Sequence, residues 1–153
     1  MEISIITICN KKDNNLEDLI SKYTSQIAKF YKISIINISF QTKKIQKNLY
    51  EKEYRKALSI IKPGSVLISL DESGSNCNSI DFSKKMQFWI EEYSNIYFII
   101  GGPDGLSDEV KDKSGSILSL SKLTFPHQLA KVILIEQLYR SISILNNHPY
   151  HRS

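Results

Sequence analysis

The residues best equipped for chemistry stand at the end of the chain. NHPYHRS, at 147–153, gathers two histidines, a tyrosine and an arginine where most chains are frayed and nondescript. An imidazole can exchange a proton near neutrality, a guanidinium can hold a phosphate or a developing anion, and a phenol can stack on a base. His148, Tyr150, His151 and Arg152 therefore read as a group facing a nucleic acid, although an incidentally polar terminus explains the composition equally well. The spacing of His148 and His151 could invite a metal, but Pro149 prevents a shared helical face and no carboxylate or cysteine stands beside them. No metal site is expected.

Two further segments could meet a ligand. GGPDGL, at 101–106, has three glycines and a proline in a tight turn, which lets a ligand approach peptide groups closely. A plain turn between strand and helix fits the same letters, and neither a dinucleotide fingerprint nor a P-loop is present. SKLTFPH, at 121–127, offers two hydroxyls, backbone groups and Pro126, a residue suited to the first turn of a helix. Ser121 or Thr124 could equally cap the helix that follows, with His127 a surface or capping residue. Asp71 and Glu72 lie at a strand end, where carboxylates serve either catalysis or loop capping. Glu136 and Arg140 have the i, i+4 spacing of an ion pair. Lys43, Lys44 and Lys47, with Lys52, Arg55 and Lys56, could track a phosphate backbone or simply solvate a helix face.

These segments need elements to position them. The β-branched run at 3–8 predicts a first strand, followed by a helix carrying Leu16, Leu19, Ile20, Tyr23, Ile27 and Phe30, with Asn15 and Asp18 set for capping. Alternation at Ile36, Ile38 and Phe40 predicts a half-buried strand. Tyr50, Tyr54, Ala57, Leu58 and Ile61 return to helical period until Pro63 and Gly64 stop it. A strand at 66–70, a helix from about Ser79, a wholly apolar strand at 96–100, a short helix from about Leu106 and a strand at about 117–120 follow. The last helix, about 127–146, is apolar around most of its circumference. One sheet cannot bury so much, which predicts a homodimer paired through this helix. Alternating strands and helices imply a single α/β domain over 1–153 with a mainly parallel sheet. Ligands in such folds sit beyond the carboxyl ends of strands, on the loops after Leu70, Ile100 and Leu120.

Composition sets outer bounds. With 153 residues, 41% of them hydrophobic, the chain can build one real core, and a formal charge of +4 tolerates a polyanionic partner without identifying one. Cys9 and Cys77 are too few for a disulfide framework or a zinc site, so a reducing compartment is expected. The first residues read as a strand rather than a secretory leader, no stretch is long enough to span a bilayer, and a cytoplasmic location is expected.

Taken together, FIIGGPDGL at 98–106, SLSKLTFPH at 119–127, EQLYR at 136–140 and NHPYHR at 147–152 resemble, in order and spacing, the ribosomal RNA large subunit methyltransferase H (RlmH) family of the SPOUT superfamily. LDESG at 70–74 is similar to that family's LDERG. The resemblance implies a SPOUT-type α/β sandwich whose C-terminal part threads a trefoil knot, a feature that general topology rules would argue against. It implies a homodimer in which two subunits complete each active site. It also implies S-adenosylmethionine as methyl donor, held by Leu70, Gly102, Ser121, Lys122, Leu123, Thr124, Phe125 and Pro126. The expected activity is methylation of N3 of a pseudouridine in large-subunit (23S) ribosomal RNA, on the assembled ribosome, with the tail residues His148, Tyr150, His151 and Arg152 catalytic. The alternatives are the same chemistry on another RNA nucleotide and a silent RNA-binding or ribosome-associated dimer. The chain departs from the family at Cys9 and Asn10, where a Gly-rich start to the first loop is usual, and at Ser73, where arginine is common.

Overall fold

The computed structural model describes residues 1–10, 13–40, 50–102 and 104–152. Strands and helices alternate as β1 (Glu2–Ile8), α1 (Asn14–Ile27), β2 (Lys32–Ile38), α2 (Glu51–Ile60), β3 (Val66–Ser75), α3 (Ser79–Glu92), β4 (Ile96–Ile100), α4 (Asp108–Asp112), β5 (Ser116–Leu118) and α5 (His127–Leu145). The five strands form one sheet in the order β2-β1-β4-β3-β5, and every pairing is parallel. The strand and helix pattern of the sequence is thus reproduced. Lys43, Lys44 and Lys47 fall outside the described residues. Their companions Lys52 and Lys56 are exposed on α2, where Arg55 pairs with Glu51.

Strand order and helix placement follow from one rule. A crossover between parallel strands keeps a single hand, so a step in one direction along the sheet must use one face and a step back must use the other. The steps from β1 to β2 and from β3 to β4 run one way, and α1 and α3 share a core with Ile3, Ile5, Ile68, Ile96 and Phe98. The opposite steps carry α2 and α4, which cover Ile6, Ile8, Leu67, Tyr97 and Ile99 on the other face. A sheet buried on both sides cannot alternate apolar with polar, which is why β4 reads IYFII and all five residues are buried.

The last helix lies in the trough between α1 and α3 and packs against both. Leu134, Ile135, Leu138 and Ile142 are fully buried there within one chain. The apolar circumference that suggested a second copy is therefore largely covered by two flanking helices and the sheet. The count of apolar positions could not distinguish these two kinds of cover. Leu129 remains exposed near the start of α5. Among the described residues no helix is long and apolar enough to cross a membrane.

Two local expectations are corrected. α1 is capped by Asp13, whose carboxylate accepts from the Asn15 N–H at 2.9 Å, and not by Asn15 or Asp18; an acceptor just ahead of the helix meets the free amides of the first turn. β3 does not stop at Leu70 but runs to Ser75 with a register break, because both Leu70 and Ser75 pair with Leu118 of β5. The residues between them bulge from the sheet and return across it. Ser119 N–H donates to the Ser75 carbonyl at 3.0 Å, and the Asn76 side chain donates to the Ser119 carbonyl at 3.0 Å.

At this crossing there is no room for a side chain at Gly74: a Cβ would stand 2.6 Å from the Leu118 carbonyl carbon and 2.7 Å from Ile117 backbone atoms. Gly74→Ala is expected to cost about 1–3 kcal/mol, lowering the melting temperature by roughly 3–10 °C. Thermal unfolding followed by circular dichroism checks this, and an unchanged midpoint would contradict the crossing.

Candidate active site

The three loops singled out by their position meet in one cleft of about 440 Å³ at the carboxyl ends of β3, β4 and β5. Leu70, Asp71 and Glu72 form one wall, Ile100, Gly101, Gly102, Asp104 and Gly105 a second, and 119–121 and 123–125 with His127 and Ala130 a third. Of the eight residues expected to hold a cofactor, Leu70, Gly102, Ser121, Leu123, Thr124 and Phe125 line it. Lys122 and Pro126 do not: Lys122 is exposed, and Pro126 occupies the N-cap position of α5, one residue before its first turn.

Each wall is held by bonds that its sequence supplies. Asp71 accepts from the Ser73 N–H at 2.9 Å and from its hydroxyl, which shapes the bulge, and its other oxygen pairs with Lys111 of α4 at 3.2 Å. Burial pushes the Asp71 carboxyl up, but the Ser73 and Lys111 contacts outweigh it and hold the group below its usual value of 3.8. Asp71 is thus a structural anchor, and Ser73, at a position where the family often has arginine, is engaged in the same turn. In the second wall, Gly105 has φ +80° and its N–H donates to the Gly102 carbonyl at 3.0 Å. The Tyr54 hydroxyl reaches up from α2, accepts from the Gly102 N–H at 3.1 Å and donates to the Gly105 carbonyl.

In the third wall neither Ser121 nor Thr124 caps α5. The Ser121 hydroxyl accepts from the Leu123 N–H at 2.9 Å and its carbonyl from the Ser119 hydroxyl at 2.7 Å, a tight local turn that consumes both groups. Thr124 is left exposed on the cleft with no hydrogen bond among the described residues. His127 is not a surface residue. Its ring sits in the cleft wall, its Nε2 is buried without a partner among the described residues, and burial, reinforced by Lys131, lowers its pKa against the opposing pull of the Gly101 backbone. Cys9 and Asn10 also have structural work. Asn10 brackets the backbone of Phe40, its Oδ1 accepting from the Phe40 N–H at 2.7 Å, and the Cys9 sulfur accepts from the Gln128 side chain at 2.8 Å, tying the end of β1 to β2 and α5.

The tail residues lie elsewhere. α5 ends with Asn147 at φ +54°, its N–H bonding the Ile144 carbonyl and the His148 N–H bonding the Ser143 carbonyl, a paired closure that turns the chain back along the helix. Tyr150 stacks 4.5 Å from Tyr139, and its hydroxyl donates to Glu136 at 2.9 Å. Burial, the Tyr23 contact and Glu136 all raise the Tyr150 pKa, so the phenol stays protonated. Glu136 pairs with Arg140, as the spacing implied, with Nε to Oε1 at 3.0 Å, and Arg140 Nη1 stands 3.1 Å from His151 Nδ1. Glu136 follows the last cleft residue of α5, Ala130, by ~9 Å of helix rise. None of His148, Tyr150, His151 or Arg152 lines the cleft of its own chain. Among the described residues no cluster of three or more His, Cys, Asp or Glu side chains could hold a metal ion.

Comparison with known proteins agrees along the whole length. A family model described as "Predicted SPOUT methyltransferase" matches residues 1–151. The chain is 41% identical over 153 residues to the ribosomal RNA large subunit methyltransferase H of Acholeplasma laidlawii, covering 99% of this chain and 100% of that protein. It is 34% identical over 154 residues to the protein of the same name from Methylobacillus flagellatus, covering 99% of each. Among solved structures, a probable methylase family protein from Haemophilus influenzae Rd KW20 is similar in fold, with a TM-score of 0.53 and 14% identity over 99% of this chain and 70% of that one.

The Asp71 anchor gives the cleft wall a pH dependence of known sign. A carboxyl held below its unfolded pKa contributes stability that is complete above that value and is lost as the pH falls through the folded one. Asp71→Asn is expected to cost on the order of 1 kcal/mol at pH 7, with the gap from wild type closing as the pH falls below 3.8. Urea unfolding of both proteins at pH 7 and near pH 3 reads it directly; an equal gap at both would contradict the anchor.

Proposed function

Because this chain belongs to the SPOUT methyltransferase family, among the ribosomal RNA large subunit methyltransferase H proteins, we propose that it transfers a methyl group from S-adenosylmethionine to N3 of a pseudouridine in large-subunit ribosomal RNA, in the cytoplasm and on the assembled ribosome. The observation that carries this reading is the convergence on one cleft of the three loops that resemble the family's motifs. The cleft suits the donor. Leu70, Ile100, Leu120 and Phe125 offer apolar surface to an adenine, glycine backbone permits close approach, Thr124 has a spare hydroxyl, and Glu72 and Asp104 are carboxylates able to face a cationic ligand. S-adenosylmethionine, when bound, supplies a methyl on a sulfonium sulfur that keeps the bonding pair as the methyl leaves.

The protein's own contribution is position and proton removal. N3 of the pseudouridine must lose its proton as it gains the methyl. His151 is poorly placed to take it: arginine has no acceptor, so a bond from Arg140 occupies the Nδ1 lone pair and leaves the proton on Nε2. Such an imidazole donates, to a base carbonyl or a phosphate. His148 is exposed and is the better general base. Tyr150, protonated and fixed by Glu136, orders the tail, and Arg152, exposed beside it, suits an anion. Because the tail does not line the cleft of its own chain, the reading calls for a homodimer in which one subunit's tail completes the other's cleft. A ribosome is a reasonable substrate because so small a domain offers little surface for recognising naked RNA.

Methyl incorporation into ribosomes lacking the modification tests the roles. His148→Ala is expected to lower turnover by about 10²-fold or more while leaving cofactor affinity intact. Mixing subunits tests the composite site. His148→Ala and a cleft variant, Gly102→Val, should each be nearly inactive, yet randomly reassorted dimers should regain about a quarter of wild-type activity, since half are mixed and each has one intact site. No recovery on reassortment would contradict a site shared between subunits, and full activity of His148→Ala together with His151→Ala and Arg152→Ala would sink the tail's role.

A further inference from the structure

Tyr54 belongs to no motif above, yet from the opposite face of the sheet its hydroxyl is bonded to the glycine wall of the cleft. It lies on α2, is 2% exposed, and packs with Ala57, Tyr97 and Val110 in the core beneath. Its single hydroxyl bridges the glycine turn, accepting from Gly102 and donating to Gly105. Among the described residues the turn's own backbone closes it through Gly105 to Gly102. Glycines in a turn resist deformation weakly, so without the strut the wall would sample many shapes. Tyr50 adds a steric stop on the same side: a Cβ at Gly102 would stand 3.3 Å from its ring.

We infer that Tyr54 is a positioning residue for methyl-donor binding, holding the Gly102–Gly105 turn in the shape that the donor meets. This rests on the reading of the cleft as the donor site. Burial raises the phenol's pKa to about 12, so the proton that the Gly105 carbonyl accepts is present throughout the range in which an enzyme would be assayed. A preorganised wall needs no ordering when the ligand arrives, and the benefit falls on affinity for the donor rather than on the transfer step.

The test compares wild type, Tyr54→Phe and Val110→Ala by calorimetric titration with S-adenosylmethionine and with S-adenosylhomocysteine, and by steady-state methyl transfer. Tyr54→Phe keeps the ring in the core and removes both bonds; Val110→Ala weakens the same core without touching the cleft. The expected result is that Tyr54→Phe raises the Kd for both compounds and the KM for the donor by about tenfold, with kcat at saturating donor within about twofold. Val110→Ala should lower the melting temperature and leave both constants at wild-type values. A merely structural tyrosine would lower the melting temperature alone, and wild-type affinity in Tyr54→Phe overturns the inference. If that variant is too unstable to purify, Tyr54→Met replaces it with the same expected outcomes. Failure of the wild type to bind either compound overturns the donor-site reading and this inference with it, whereas wild-type binding with an unaffected variant overturns this inference alone.

Discussion

The single hand of the crossovers between parallel strands governs the rest of the molecule. It sends α1 and α3 to one face and α2 and α4 to the other, leaving a trough between α1 and α3 that only a helix apolar on most sides can fill. α5 fills it. The same order puts β3, β4 and β5 at one side of the sheet, so the three loops that follow them open together. Placement of the cleft is thus a consequence of topology, and its chemistry is a consequence of which residues those loops carry.

Much of this was legible in the residues. Period changes marked the elements, and the rule that ligands lie beyond strand carboxyl ends selected the three loops before any geometry was known. What stayed hidden required contacts distant in sequence. Nothing near Tyr54 announces that its hydroxyl meets a turn some fifty residues later (|i−j| of 48 and 51). His127 looks like a cap until the Gly101 carbonyl is found beside it. The apolar girth of α5 was visible, but whether helices of the same chain or a second copy cover it depends on the trough, which only the strand order defines. The register break after Leu70 likewise needs Leu118 to serve two partners, a fact of pairing rather than of pattern.

The separation of tail from cleft is the most consequential geometric fact. Asn147 turns the chain back, and Glu136 collects Tyr150, Arg140 and, through Arg140, His151 into one connected group. Groups so arranged are ordered before any substrate arrives, which spares their conformational entropy at the moment of reaction. They are also committed to the far part of α5, so a single copy has the cleft and these tail residues at different places. Two copies are what a reaction needing both would demand, and this ground for a dimer is stronger than the apolar girth of the helix.

The identity of the reaction is tested most directly by incubating ribosomes from a strain lacking this protein with the purified chain and S-adenosylmethionine, then mapping added mass on the large-subunit RNA nucleotide by nucleotide. One new methyl group on N3 of a pseudouridine, and none elsewhere, is the expected result. A methyl group on a different nucleotide would contradict the specificity while leaving the cleft's chemistry standing, and no methyl group on any RNA, from protein that binds the donor, would contradict the activity itself.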